Sequence, residues 1–282
     1  MDEDPLPAPV LRPPLTVVPR CGAYITRYLI RLFVVEMLSV ANIGFTLTTL
    51  ETTHDLNIAV TTIFAISFGL SIWIAGPITG PQTNTGISIV MLITRRIAYP
   101  YFIVAIVAQL VGGIVGSGFA ILITGVYPNA THHYGMTIIP DSSTVERALG
   151  FEIVGMFILM VVVLSTLDEY RQESWANGQI TLYTFVFTMA AAMVASLLLP
   201  YSGPGINPAA SLGAAIVNNY YKHQWVPVVG PIIGSVLAVI VYEMILSNGA
   251  SVARTRHWLT DPNFDRNIDY KVLDEQKKHQ TF

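Results

Sequence analysis

The sequence predicts an all-α membrane protein with six transmembrane helices and two re-entrant half-helices arranged as an inverted repeat. Three observations carry this. Of the 282 residues, 52% are hydrophobic and only 12% are charged, with mean hydropathy +0.56. A soluble domain averages about 25% charged residues and could not hide this much apolar surface. Six apolar stretches reach about 20 residues, the length that crosses roughly 30 Å of hydrocarbon. A short motif built on Gly-Pro, Asn and Ser occurs once in each half of the chain.

Residues 1–27 read as a disordered N-tail, because six prolines between Pro5 and Pro19 forbid a long helix. Its start, Asp2-Glu3-Asp4, is acidic and lacks the basic then apolar pattern of a signal peptide. The membrane-spanning domain is expected over 28–247. Spanning helices are expected near 28–50, 57–77, 97–124, 147–167, 177–199 and 224–247, so repeat one is 28–124 and repeat two 147–247. Two apolar pieces, near 84–93 and 206–217, are too short to span. Such interrupted segments at matching places point to half-helices lining a path. Residues 248–282 read as a cytoplasmic C-tail, charged and mobile over 254–282.

Lysine and arginine set the orientation. With six spans both termini share one side, and that side collects 13 of the 15 basic residues, leaving Arg147 and Lys222 opposite. The termini are therefore expected in the cytoplasm, with plasma membrane as the default location. Asn129-Ala130-Thr131 is a glycosylation acceptor pattern in the loop 125–146, on the outer side by the same count.

Gly80-Pro81-Gln82-Thr83-Asn84-Thr85-Gly86-Ile87-Ser88 aligns with Gly203-Pro204-Gly205-Ile206-Asn207-Pro208-Ala209-Ala210-Ser211. Gly112 to Ser117 aligns with Gly230 to Ser235, and Glu36 with Glu152. Each unit holds three spans, and an odd number turns the second copy upside down. The two half-helices then enter from opposite faces, with Asn84 and Asn207 at their N-termini near the midplane. Asparagine caps a helix and still offers N–H donors, and Pro208 suits the first helical position. Two positive dipole ends meeting there favour dipolar oxygens and repel cations. A pore for small neutral molecules is expected, centred on Asn84, Asn207, Thr85, Gly86, Pro208 and Ala209.

These residues resemble the two Asn-Pro-Ala boxes of the aquaporin, or major intrinsic protein, family. Phe68-Gly69-Leu70-Ser71-Ile72, Ala108-Gln109-Leu110-Val111-Gly112 and Glu152-Ile153-Val154-Gly155 resemble its spans two, three and four. The resemblance covers about 28–247 and implies a six-helix bundle with one pore per subunit in a homotetramer. The first box departs from the pattern as Asn84-Thr85-Gly86, losing the preset proline φ, and Gly86 weakens the first helical turn. By resemblance, the outer selectivity filter is Phe68 (or Phe64), Ala195, Pro204 and Ala210. The family usually has an arginine at the Ala210 position and, in strict water channels, a histidine at the Ala195 position. This filter is wide, apolar and uncharged, and weak mercurial block is expected because Pro204 replaces the family's loop thiol.

Glu36 and Glu152 lie inside spans and read as structural anchors of the backbone before each half-helix. Gly112/Gly116 and Gly230/Gly234 have the small-xxx-small spacing of close helix contacts. His132 and His133 read as solvated loop residues, Asp168, Glu169, Arg171 and Glu173 as a solvated cytoplasmic loop, Glu243 as a residue near a helix end, and Cys21 as a tail thiol. A net charge of −3 gives no footprint for nucleic acid. One cysteine excludes an intrachain disulfide. No nucleophile–base pair, phosphate loop or metal-ligand spacing occurs, so no enzyme, cofactor or metal is expected. The expected function is passive passage of glycerol- or urea-like solutes, water, or both, across the lipid bilayer. The altered first box leaves a structural or adhesive protein with a closed pore as an alternative, and Ala210 leaves a channel that also leaks ions.

Overall fold

The computed structural model describes residues 23–280 apart from 54–56, 81, 130 and 204. Cys21, most of the proline-rich tail and Pro204 lie outside the described residues. The elements are α1 (Ala23–Thr53), α2 (Ile58–Thr79), α3 (Thr85–Ile93), α4 (Tyr99–Thr124), α5 (Val145–Leu167), α6 (Ile180–Leu198), α7 (Pro208–Asn218), α8 (Val226–Val241), α9 (Val252–Thr260) and α10 (Tyr270–Gln280). A single 3-10 turn, Trp175–Asn177, precedes α6, and a π turn, Tyr242–Leu246, extends α8. Among the described residues, six helices are long and apolar enough to cross a membrane: α1, α2, α4, α5, α6 and α8 with its π turn.

Local sequence explains the boundaries. Asn57 opens α2 by accepting from Ala59 N and Val60 N, and Thr144 opens α5 by accepting from Arg147 N. Proline stands in the first turn of α4, α7 and α8, where its missing N–H costs nothing. Gly125 closes α4 in the left-handed conformation at φ 68°.

The packing is that of two intertwined copies. α1 runs along α4, α5 along α8, and α2 meets α6 across the seam between repeats. Each half-helix crosses over: α3 packs on α8, and α7 on α4. The close approaches fall where small residues recur. An added Cβ would collide with the carbonyl oxygen of Met37 at Gly112, of Ala41 at Gly116 and of Ile153 at Gly234, and would stand 2.6 Å from Glu152 Cβ at Gly230. Without these glycines the backbones could not come together.

The mobile tail and solvated loop need correction. α9 folds back on the end of the bundle and α10 packs on α9, with Arg254 and Arg266 buried. Asp168 is 1% exposed, accepting from the Tyr242 hydroxyl (2.9 Å), Asn248 N (3.2 Å) and Tyr170 N (3.0 Å). Glu169 and Glu243 are likewise enclosed by Arg96 and Arg266. Glu243 does stand at a helix end, but as the partner of these arginines. Glu173 is exposed as expected, and Arg171 is half-buried. Charge runs read as solvated when their partners lie far away in sequence.

Candidate functional site

The N-termini of α3 and α7 meet in the middle of the bundle. Asn84 Oδ1 accepts from Gly86 N at 2.7 Å, capping its own helix, while its Nδ2 donates to Ile206 O at 2.7 Å. Asn207 Nδ2 donates to Thr83 O at 3.0 Å, and its Oδ1 has no hydrogen-bond partner. Each asparagine thus reaches across to the residue preceding the other. Thr83 (φ 57°) and Ile206 (φ 42°) both adopt the left-handed conformation, rare for β-branched residues. That strain turns their carbonyls toward the opposite asparagine. One N–H of each amide is used in this cross-link, and each nitrogen carries a second.

Behind the centre the two repeats differ. Glu36 Oε1 accepts from Thr79 Oγ1 (2.8 Å), and Oε2 accepts from Thr83 N (2.9 Å) and Gln109 Nε2 (2.8 Å). Gln109 Nε2 also donates to Ser88 Oγ, and its Oε1 accepts from Thr85 Oγ1 at 3.2 Å. Ser88 Oγ passes the chain on to Gln82 Oε1. The threonine of the first box therefore joins a buried network that a proline could not enter. Glu152 has a sparser setting: Oε1 accepts from Ser202 Oγ at 2.7 Å, the Ile206 backbone N–H faces the carboxylate as Thr83 N faces Glu36, and no side chain donates to Oε2. Gly86 makes room for Met156, whose terminal methyl occupies the space a Cβ would need, with Ser235 Oγ beside it.

The register of α2 against α6 locates the aromatic positions. Thr61 Oγ1 meets Ser196 Oγ at 2.8 Å, and Gly69 lies against Thr188. At a rise of 1.5 Å per residue, Phe64 is about 3 Å from the level of Ala195, and Phe68 about 9 Å deeper than that level. Phe68 instead packs edge-on against Phe187, ring centroids 4.8 Å apart. Asn84, Asn207, Phe64, Phe68 and Ala195 are fully buried, with Ala209 and Ala210 only 4% and 6% exposed. Thr85, the first residue of α3, is half-buried beside them.

In the loop 125–144, Asn129 is exposed, and its Oδ1 accepts from Thr131 N, Thr131 Oγ1 and His132 N. His132 is exposed as expected. His133 is not a solvated residue: it is half-buried and stacks on Tyr220 with ring centroids 4.1 Å apart. The loop also reaches α7, where Asn218 accepts from Tyr134 N and donates to Tyr134 O, both at 2.8 Å. Among the described residues no group of three His, Cys, Asp or Glu side chains could hold a metal ion.

Comparison with known proteins gives a consistent picture. The family model described as "Major intrinsic protein" matches residues 16–242. Aquaporin-1 of Bos taurus is 28% identical over 215 residues, covering 76% of this chain and 77% of the relative. Aquaporin-1 of Canis lupus familiaris is 30% identical over 195 residues, 69% of each chain. The X-ray structure of the aquaglyceroporin from Plasmodium falciparum superposes with TM-score 0.67 at 20% identity, covering 77% of this chain and 97% of that one.

Proposed function

The chain belongs to the major intrinsic protein family, and from that premise we propose how its pore selects what passes. It is an integral membrane protein and a passive channel for water and small solutes, not an enzyme. In our reading the second N–H of Asn84 and of Asn207 faces the permeating molecule, and the two helix dipoles repel cations at the same place.

The outer filter is read as Phe64, Ala195, Pro204 and Ala210, with Phe64 preferred to Phe68 because it stands near the level of Ala195. Such a constriction has one aromatic wall and no charge, so it suits glycerol- or urea-sized neutral solutes as well as water. The observation that carries this reading is Ala210 at the third position beyond Asn207, beside the mouth of α7, where no cationic side chain narrows the path. Both termini in the cytoplasm, a plasma-membrane location, a homotetramer and a glycan on Asn129 complete the proposal. They rest on the basic-residue asymmetry, the family, and the exposure of Asn129.

The test is stopped-flow light scattering on proteoliposomes. Fast re-swelling in glycerol that Ala210→Arg slows about tenfold or more, while water flow persists, is the expected outcome. Re-swelling at empty-liposome rates from correctly inserted protein would sink the wide-filter reading.

A further inference from the structure

We propose that the C-terminal segment is a clasp that positions the half-helix α3, with Arg266 and Trp258 as its positioning residues. The consequence for permeation rests on the reading of Asn84 as a pore donor.

α3 has nine residues, too few to be stable alone. Its N-terminus is preceded by Asn84, which is also held by its own cross-link to Ile206, so the support at the other end shares in setting where Asn84 stands. At that end the carbonyls of Val90, Met91 and Leu92 are taken by the backbone N–H groups of Thr94, Arg96 and Arg95. The next two carbonyls are taken by the tail: Trp258 Nε1 donates to Ile93 O at 3.0 Å, and Arg266 Nη1 to Thr94 O at 2.9 Å. Arg95 returns a bond from Nη1 to Asp261 O and lies over the Phe264 ring. The C-terminus of a helix carries partial negative charge and unpaired carbonyls, so a buried cation and an indole donor suit it.

Arg266 does not hold α3 alone. Its Nε donates to Glu169 after α5 at 2.9 Å, and its Nη2 to Glu243 at the end of α8 at 2.8 Å. Arg96, two residues beyond Thr94, pairs with the same carboxylates at 3.1 and 3.4 Å. One guanidinium from the tail therefore ties the end of α3 to the ends of two spans of the other repeat. Burial by itself would raise the Glu169 carboxyl, but Arg266 and Arg96 hold it down at about 2, so the carboxylate stays charged.

The second half-helix is held differently. The Ala215 carbonyl of α7 accepts from Asn219 N and Tyr220 N, and Asn218 clamps Tyr134 of the outer loop. Loosening the tail should therefore free α3 and leave α7 alone, which makes α7 an internal control.

The test uses the full-length chain in proteoliposomes with Arg266→Gln, Arg266→Lys and Trp258→Phe. The last keeps an apolar aromatic side chain while removing the donor with the five-membered ring, so it guards against a simple folding failure. Backbone hydrogen exchange over 85–97 should accelerate about tenfold or more in Arg266→Gln and less in the other two, with 208–218 unchanged. In the same vesicles the glycerol-to-water permeability ratio should rise about threefold in Arg266→Gln and return part of the way in Arg266→Lys, as Asn84 backs away from Ile206. Unchanged exchange in α3, or equal acceleration in both half-helices, overturns the clasp. Faster exchange in α3 with an unchanged ratio overturns its role in setting the pore while leaving the channel reading intact. Absence of any flux in the parent protein would fault the pore reading, and the exchange data would still decide the clasp.

Discussion

Single residues explain why the first box departs from its counterpart. At Gly86 a Cβ would meet the Met156 methyl and Ser235 Oγ, so the flexible end of the methionine would have to shift. Gly86→Ala is expected to lower stability by about 1–3 kcal/mol through overpacking. In a Met156→Ala background the cost of Gly86→Ala should shrink toward zero, measured as thermal unfolding in detergent; an equal cost in both backgrounds would deny the coupling. Phe64 and Phe68 are adjacent on one helix face, yet they stand one turn apart in depth. Phe64→Ala should raise glycerol flux, whereas Phe68→Ala should act through lost packing against Phe187 and lower stability by about 3–5 kcal/mol. Larger flux gains from Phe68→Ala, in proteoliposomes, would reverse the assignment. The aromatic type was legible in the sequence. Its depth was not, because depth depends on the register between α2 and α6.

At the scale of elements, the two half-helices share their caps and their crossed asparagines but not their supports. Glu36 accepts three hydrogen bonds, one from the Thr83 backbone that bends into α3. Glu152 accepts from Ser202 and faces the Ile206 backbone N–H, and no side chain donates to its second oxygen. Glu36→Gln turns an amide toward groups that donate, so it should cost about 1–3 kcal/mol, and Glu152→Gln clearly less. Equal losses of thermal stability would show that the asymmetry carries no energetic weight. The symmetric positions of these acids were readable from the repeat. The difference between them comes from Gln109 and Thr85, whose partners lie 73 and 24 residues away.

For the whole molecule, the charge cluster at the end of the bundle joins parts of the chain that hydropathy treats as separate. Arg96, Glu169, Glu243, Arg254 and Arg266 come from four segments, and their burial draws α9 onto the spans. The Glu169 carboxyl is held at about 2, below its usual 4.5. A depressed carboxylate contributes stability that is complete above 4.5 and lost as pH falls toward 2. The emission of Trp258, taken as parent minus Trp258→Phe, should therefore stay constant from pH 7 to 4.5 and shift red only below it. A red shift already complete at pH 5 would contradict the ion-pair account.

The sequence by itself determined the class, the six spans, the two half-helices and the pairing of Asn84 with Asn207. Each of these is written in hydropathy over a window of residues or in a motif that recurs, and both are local signals that survive without coordinates. The tertiary structure alone decided which aromatic stands level with Ala195, why Gly86 replaces a larger residue, and that the charged tail is bound rather than mobile. Those outcomes depend on contacts between residues far apart in the chain: Trp258 reaches Ile93 and Arg266 reaches Thr94 across more than half its length. A charge reads as solvated until the fold brings its partner to it, because its burial is stable only with that partner in place.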